Sequence, residues 1–242
     1  MRVHIILPAA GIGTRMATGQ SSTTAPKQFL SLGGIPILIH SLRAFAGTDR
    51  VATILVAVRP TESERLQAQI DEYGLTKRVR IVEGGDSRQD SVANALNSLD
   101  AAPDDIVLVH DAVRPLIDAA TIDRTIDTIA RNGAAIVGLP AIDTIKQVER
   151  TADGAIVTST IPRERIVQAQ TPQGARFNLL KRAFDEASAD SFVGTDEASL
   201  LERAGIEVSV VPGSPHNFKI TQPGDLELAE FYLSKTSHGS HG

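Results

Sequence analysis

Five short runs rich in apolar and β-branched residues punctuate the first 140 positions: "VHIILP" (3–8), "VATILVAV" (51–58), "VRIVEG" (79–84), "DIVLVHD" (105–111) and "AAIVGLP" (134–140). Strands covered by helices on both faces have this character, whereas half-exposed strands alternate apolar with polar. Between the runs lie "PILIHSLRAFAG", "TESERLQAQIDEYG", "DSVANALNSL" and "AATIDRTIDTIARNG", with apolar residues at helical spacing. Three of these end at a glycine where a C-cap belongs. The β-α-β-α order specifies an α/β fold with a doubly wound, mostly parallel sheet. Ligands of such sheets collect at the carboxyl ends of the strands.

The first strand end reads "LPAAGIGTRM" (7–16). A Walker loop would need Lys-Ser or Lys-Thr after its last glycine. A dinucleotide fingerprint would need a third glycine where Met16 stands. Backbone N–H groups of the turn, with Arg15 and Lys27 reaching over, suit a polyphosphate. A structural tight turn with two solvated cations is the bland alternative. Cations matter locally because the chain as a whole carries a net charge of −5 and has no global basic field.

Other strand ends add polar groups. In "HDAVRP" (110–115), Asp111 could orient a metal ion or a hydroxyl, and Arg114 could hold Asp111 or a phosphate. A structural Asp–Arg pair is the alternative. In "EGGDSRQDSV" (83–92), Ser91 and the backbone of Gly85 and Asp86 could read a base. His110 is expected to be a buried strand residue rather than a catalyst. The sequence contains no cysteine, which removes disulfides, thiol catalysis and cysteine-held zinc. The N-terminal apolar run is too short for a signal peptide, and no stretch approaches the ~18–20 apolar residues of a spanning helix. A cytoplasmic protein is expected.

One segment departs from the pattern. In 143–173, "IKQVER" and "AIVTST" alternate around "ADG", and Asp-Gly between alternating strands signals a hairpin. The expected organisation is a single domain over 1–233 with a protruding hairpin arm at about 143–168, able to pair with another subunit. The polar tail 234–242 is expected to be disordered.

The set "PAAGIGTRM", "PKQF", "GGDSRQDSV", "HDAVRP", "DTIK", "TPQ", "TDEASLLE" and "NFKIT", in that order, resembles the 2-C-methyl-D-erythritol 4-phosphate cytidylyltransferases of the non-mevalonate isoprenoid pathway. The resemblance implies a Rossmann-like nucleotidyltransferase fold. It also implies an enzyme that joins CTP to methylerythritol phosphate, releasing pyrophosphate, with Mg²⁺ on the triphosphate. Pro8, Ala9, Ala10, Gly11, Ile12, Gly13 and Thr14 would then hold CTP, and Arg15 and Lys27 would stabilise the pentavalent phosphate. Gly85, Asp86, Ser91 and Ala112 would contact cytosine and ribose, with Asp111 close to sugar and metal. Arg163 and Lys219 would position the second substrate, with Arg114, Thr144, Thr171 and Thr195 as lesser contacts. The family's homodimers, whose arms each complete the neighbour's site, fit the hairpin.

Two positions depart from the family pattern. "ATGQSSTTA" (17–25) makes a polar stretch, expected to be open without CTP, and Val113 stands where alanine is the more usual residue. Ribitol-5-phosphate or another alditol or sugar phosphate is the alternative acceptor. A non-catalytic nucleotide-binding module is the alternative of another class.

Overall fold

The computed structural model describes residues 1–11 and 26–238. Ile12, Gly13, Thr14 and Arg15, and the polar stretch 17–25, lie outside the described residues. Along the chain, β1 (Val3–Pro8) precedes a small ribbon of β2 (Ser31–Leu32) and β3 (Ile35–Pro36). Then come α1 (Ile37–Ala46), β4 (Val51–Val58), α2 (Pro60–Glu72), β5 (Val79–Glu83), α3 (Arg88–Asn97), β6 (Ile106–Val109), α4 (Ala119–Asn132) and β7 (Ala134–Pro140). The hairpin β8 (Ile145–Thr151) and β9 (Gly154–Ile161) follows. The C-terminal part holds β10 (Val167–Arg176), α5 (Phe177–Ala189), α6 (Glu197–Arg203), β11 (Ser209–Pro212) and α7 (Pro223–His238).

Seven strands form one sheet in the order β11-β7-β10-β6-β1-β4-β5. β1 pairs in parallel with β4 and β6, and β4 with β5. Both faces of β1 are covered, as its unbroken apolar run requires. Ile5 and Leu7 enter the core shared with α1, α2 and α4, while Ile6 enters the one shared with α3, α5 and α6. Helix α4 shows how local sequence sets an element. Asp118 caps it by accepting from Thr121 N–H (2.6 Å), and Ile122, Ile126 and Ile129 make its buried stripe. Of the three glycines at helix ends, Gly74 and Gly133 take positive φ (69° and 93°), but Gly47 stays right-handed at −73°.

The doubly wound, mostly parallel sheet is as expected, with two corrections in the C-terminal half. β10, which includes "TPQ", is an interior strand antiparallel to both β6 and β7. Its mixed polar sequence hid it, because Gln170, Thr171 and Gln173 are buried through hydrogen bonds rather than apolar contact. The tail expected to be disordered from 234 instead begins inside α7, which continues to His238.

The hairpin is present, with its turn inside "ADG". Ala152 and Asp153 form the turn, and Gly154 opens β9 opposite Thr151. Among the described residues both faces of the hairpin are exposed, apart from Ile145 and Ile161 at its base. Val148, Ile156 and Val157 are exposed on it, and Ile142 and Val167 at its base.

Candidate active site

β1 lies between β4 and β6, so the chain winds away from it in both directions, and a crevice opens at its carboxyl end. A cavity of about 730 Å³ fills that crevice. Four strand ends line it: residues 8–11 after β1, 59–61 after β4, 83–88 around the end of β5, and 111–113 after β6. Lys27, Gln28, Ser91 and Lys219 complete the wall.

Each wall has a local cause. Lys27 sits on a single 3-10 turn (Lys27–Phe29) anchored by its neighbour. Gln28 is buried, and its amide donates to Ala9 O (2.6 Å) and, at the limit of a hydrogen bond, to Gly11 O (3.4 Å). One side chain thus ties Lys27 to the glycine turn. Opposite, Ser87 and Asp90 cap α3 reciprocally, each side chain accepting from the other's backbone N–H. The Ser91 hydroxyl accepts from Gly85 N–H (3.0 Å) and donates to Ser87 O (2.9 Å), which sets the shape of the 84–87 turn. Gly85 must lack a Cβ, because one there would fall on Asp90.

Asp111 is the electrostatic centre. One of its carboxylate oxygens accepts from Arg88 Nε (3.3 Å), and the other from Arg114 Nε (3.2 Å) and Lys219 Nζ (3.0 Å). Burial alone would raise its carboxyl, but Lys219, Arg88 and Arg114 together outweigh burial and hold it well below the usual carboxylate range. Arg88 also makes two parallel bonds to Glu197, at 2.7 and 3.0 Å, and that carboxylate is 1% exposed. Burial opposes the charge on Arg88, yet Glu197 and then Asp111 raise its affinity for the proton. Three cations against two carboxylates leave this network with an excess positive charge at the cavity wall, suited to an anionic ligand.

Behind the wall, Thr171 accepts from Asp111 N–H (3.0 Å) and lies 3.0 Å from His110 Nδ1. His110 is fully buried, with Nε2 on Arg114 O (3.0 Å). Burial pushes its ring down to about 4, so it stays neutral. It is a strand-end support, as expected.

The structure brings together Pro8, Ala9, Ala10, Gly11, Lys27, Gly85, Asp86, Ser91, Asp111, Ala112 and Lys219 around one cavity. Arg114 stands behind Asp111, and its Nη1 donates to Asn217 O (2.8 Å), fixing the segment that carries Lys219. Thr195 lies in the loop before α6, outside the cavity lining. Thr144 and Arg163 flank the hairpin, also outside it, and Arg163 Nη1 donates to Ile142 O (2.6 Å). Val113 packs with Leu32, Ile37, Ile220 and Ala229 while also meeting the cavity, so a branched side chain serves packing there.

Sequence reasoning missed Gln28, Arg59, Arg88 and Glu197. Gln28, Arg88 and Glu197 stand inside motifs already singled out. Arg59 lines the cavity with no ion pair to any described residue. The pairing of Glu197 gives no local signal, because its partner Arg88 lies 109 residues away.

Residues 3–235 match the family model described as "IspD: 2-C-methyl-D-erythritol 4-phosphate cytidylyltransferase". The chain is 67% identical over 237 residues to the protein of that name from Acidobacterium capsulatum, covering 98% of this chain and 99% of the relative. It is 52% identical to the one from Solibacter usitatus, covering 96% of each. Its fold superposes on the crystal structure of the Francisella tularensis enzyme with a TM-score of 0.79 at 36% identity, over 96% of this chain and 99% of that one. A match spanning nearly the whole length, on a chain whose cleft gathers the family's motifs, identifies the group: the chain belongs to the 2-C-methyl-D-erythritol 4-phosphate cytidylyltransferase family.

Proposed function

We propose that the cleft binds CTP across the carboxyl ends of β1, β4 and β5 and transfers its cytidylyl group to 2-C-methyl-D-erythritol 4-phosphate. The products are 4-diphosphocytidyl-2-C-methyl-D-erythritol and pyrophosphate. The acceptor's phosphate oxygen forms a bond to the α-phosphorus as the bond from that phosphorus to the bridging oxygen of pyrophosphate breaks. The observation that carries this reading is the convergence of Lys27, Lys219 and the Arg88–Asp111 network on one cavity beside the glycine turn.

The attacking phosphate monoester is already ionised near neutral pH, so no general base is required. The obstacle is electrostatic, because one anion approaches another while charge builds on the α-phosphate. Lys27 faces the nucleotide phosphates, and Lys219 is steered by Asp111 towards the acceptor phosphate. Fixed cations of this kind lower the barrier without reorganising. Arg15 adds a further cation in this scheme.

Mg²⁺ belongs to the reading as a companion of the triphosphate, where it would neutralise charge on the phosphate oxygens. Asp111 does not suit a metal ligand, since three cations already occupy its carboxylate. Among the described residues no cluster of three His, Asp or Glu side chains could hold a metal ion.

A homodimer is the second part of the proposal. The hairpin exposes Val148, Ile156 and Val157 on an arm whose strands are exposed on both faces among the described residues. Arg163, whose side chain is 54% exposed at the foot of that arm, would serve a neighbour's cleft in this reading. A cytoplasmic location follows from the demand for CTP. None of the described helices is long and apolar enough to cross a membrane.

The test is pyrophosphate release with CTP and methylerythritol phosphate, run against ribitol 5-phosphate as a competing acceptor. Turnover with methylerythritol phosphate is expected. CTP binding without pyrophosphate release would favour a non-catalytic module, and preference for ribitol 5-phosphate would move the acceptor assignment.

A further inference from the structure

The first turn of α3 does two jobs at once. On one side it continues from the 84–87 turn at the nucleotide cavity. On the other, two consecutive side chains reach across to the loop that precedes α6. Gln89 uses both ends of its amide there: Nε2 donates to Phe192 O (3.0 Å) and Oε1 accepts from Gly194 N–H (2.9 Å). An amide engaging alternate backbone groups in this way substitutes for a neighbouring strand. Arg88 fixes the far end of the same loop through its paired bonds to Glu197. Positions 192, 194 and 197 are therefore held from one helical turn, and Thr195 lies between them.

Among the described residues, Gln89 supplies the side-chain hydrogen bonds at the middle of this loop. Val193 is 77% exposed and Phe192 38% exposed, so apolar burial contributes little. Phe192 N–H donates to Ala187 O (2.8 Å) at the loop's start, and Thr195 N–H donates to the Ser199 hydroxyl (3.1 Å) at its end. The Arg203 guanidinium lies 5.0 Å from the Phe192 ring centroid. Gly194 also lies close against Ser199 and Leu200 of α6, which leave no room for a Cβ, while its N–H is held by Gln89.

We propose that Gln89, supported by Arg88, is a positioning residue for the acceptor: it holds the 192–195 loop, and Thr195 with it, in register with the turn at the nucleotide base. The proposal rests on the proposed transfer to methylerythritol phosphate and on the acceptor contact that the family resemblance implies for Thr195. Gln89 touches neither substrate in this scheme. Its action is to reduce the number of loop conformations from which the acceptor must select, a cost that appears in apparent affinity.

The test is Gln89→Met, which keeps the side-chain length and removes the amide, followed by two measurements on the full-length enzyme. Amide hydrogen exchange of the peptide containing Gly194 should become faster, while peptides from β1, β4 and β6 exchange as before. Steady-state kinetics should show the KM for methylerythritol phosphate rising about tenfold, as expected for two lost hydrogen bonds in a partly exposed loop. The kcat and the KM for CTP should stay within about twofold. Unchanged exchange at Gly194 would overturn the proposal, because Gln89 would then not hold the loop. Faster exchange with an unchanged acceptor KM would overturn it too, as would an equal change in both KM values. A parallel Thr195→Val variant separates the two layers. If it leaves the acceptor KM unaltered, the reading of Thr195 fails. If it raises that KM while Gln89→Met does not, the positioning proposal fails alone.

Discussion

Replacing Gln28 by leucine tests how the nucleotide turn is held. The side chain is 4% exposed, and its amide donates 2.6 Å to the carbonyl of Ala9, itself 4% exposed. Leucine nearly conserves the volume but strands that largely buried carbonyl at the cavity wall. A buried acceptor deprived of its donor costs about 1–3 kcal/mol, and the 3.4 Å contact to Gly11 O adds little. For a chain of this size ~1 kcal/mol shifts Tm by about 2–4 °C, so a fall of roughly 4–8 °C is expected for a cost near ~2 kcal/mol. The same loss loosens the turn relative to the nucleotide-ready shape. If about 1.4 kcal/mol of it must be recovered on binding, the KM for CTP rises about tenfold. Because saturating CTP restores the turn, kcat should change by less than about threefold. Thermal melts by circular dichroism and pyrophosphate-release kinetics read both effects. Gln28→Glu, which sets a carboxylate against the same carbonyls, should be worse on both. A lowered Tm with an unchanged KM for CTP would refute the link to the nucleotide, and neither change would refute the hydrogen bond itself.

Three further outcomes are expected. Lys27→Ala should lower kcat about 10²–10³-fold, the scale of one lost oxyanion donor, with a smaller effect on CTP affinity; normal turnover would remove Lys27 from the mechanism. If Arg163 serves the neighbouring subunit, mixing Lys27→Ala with Arg163→Ala should recover up to about a quarter of wild-type activity, since half of randomly formed dimers would carry one intact site. No recovery in verified mixed dimers would argue for a site built within one chain. His110 should remain neutral at pH 5 by NMR, because burial lowers its ring from 6.5 to about 4. Below pH 6.5 the unfolded chain takes up that proton and the folded chain does not. Stability is therefore complete above that pH and falls as pH drops towards 4, by up to about 3 kcal/mol from this group. A ring titrating near 6.5 in the folded protein would contradict its burial.

Much of the fold was legible because parallel strands covered on both faces have a blunt signature. The five runs between residues 3 and 140 all became strands, and the four helical stretches became α1 to α4. β10 was not legible. It lies between β6 and β7, yet Gln170, Thr171 and Gln173 are polar and gain their place through bonds to distant groups. Thr171 meets Asp111 and His110, and Gln173 donates to Asp196 (3.0 Å). No window along the sequence contains those partners.

The candidate site divides in the same way. Its ligand class could be read from the sequence, because a glycine turn after a first strand and cations in motif order are local facts. The sequence alone also specified the alternation of elements, the hairpin and the resemblance to one family. Tertiary structure decided which charges neutralise which. It set Asp111 among Lys219, Arg88 and Arg114, gave Glu197 to Arg88, and turned Gln28 and Gln89 from surface-type residues into fixed hydrogen-bonding groups. The physical reason is range. Periodicity and turn chemistry act over a few residues, whereas the pairing of buried charges depends on contacts between segments up to about a hundred residues apart, which only the folded chain creates.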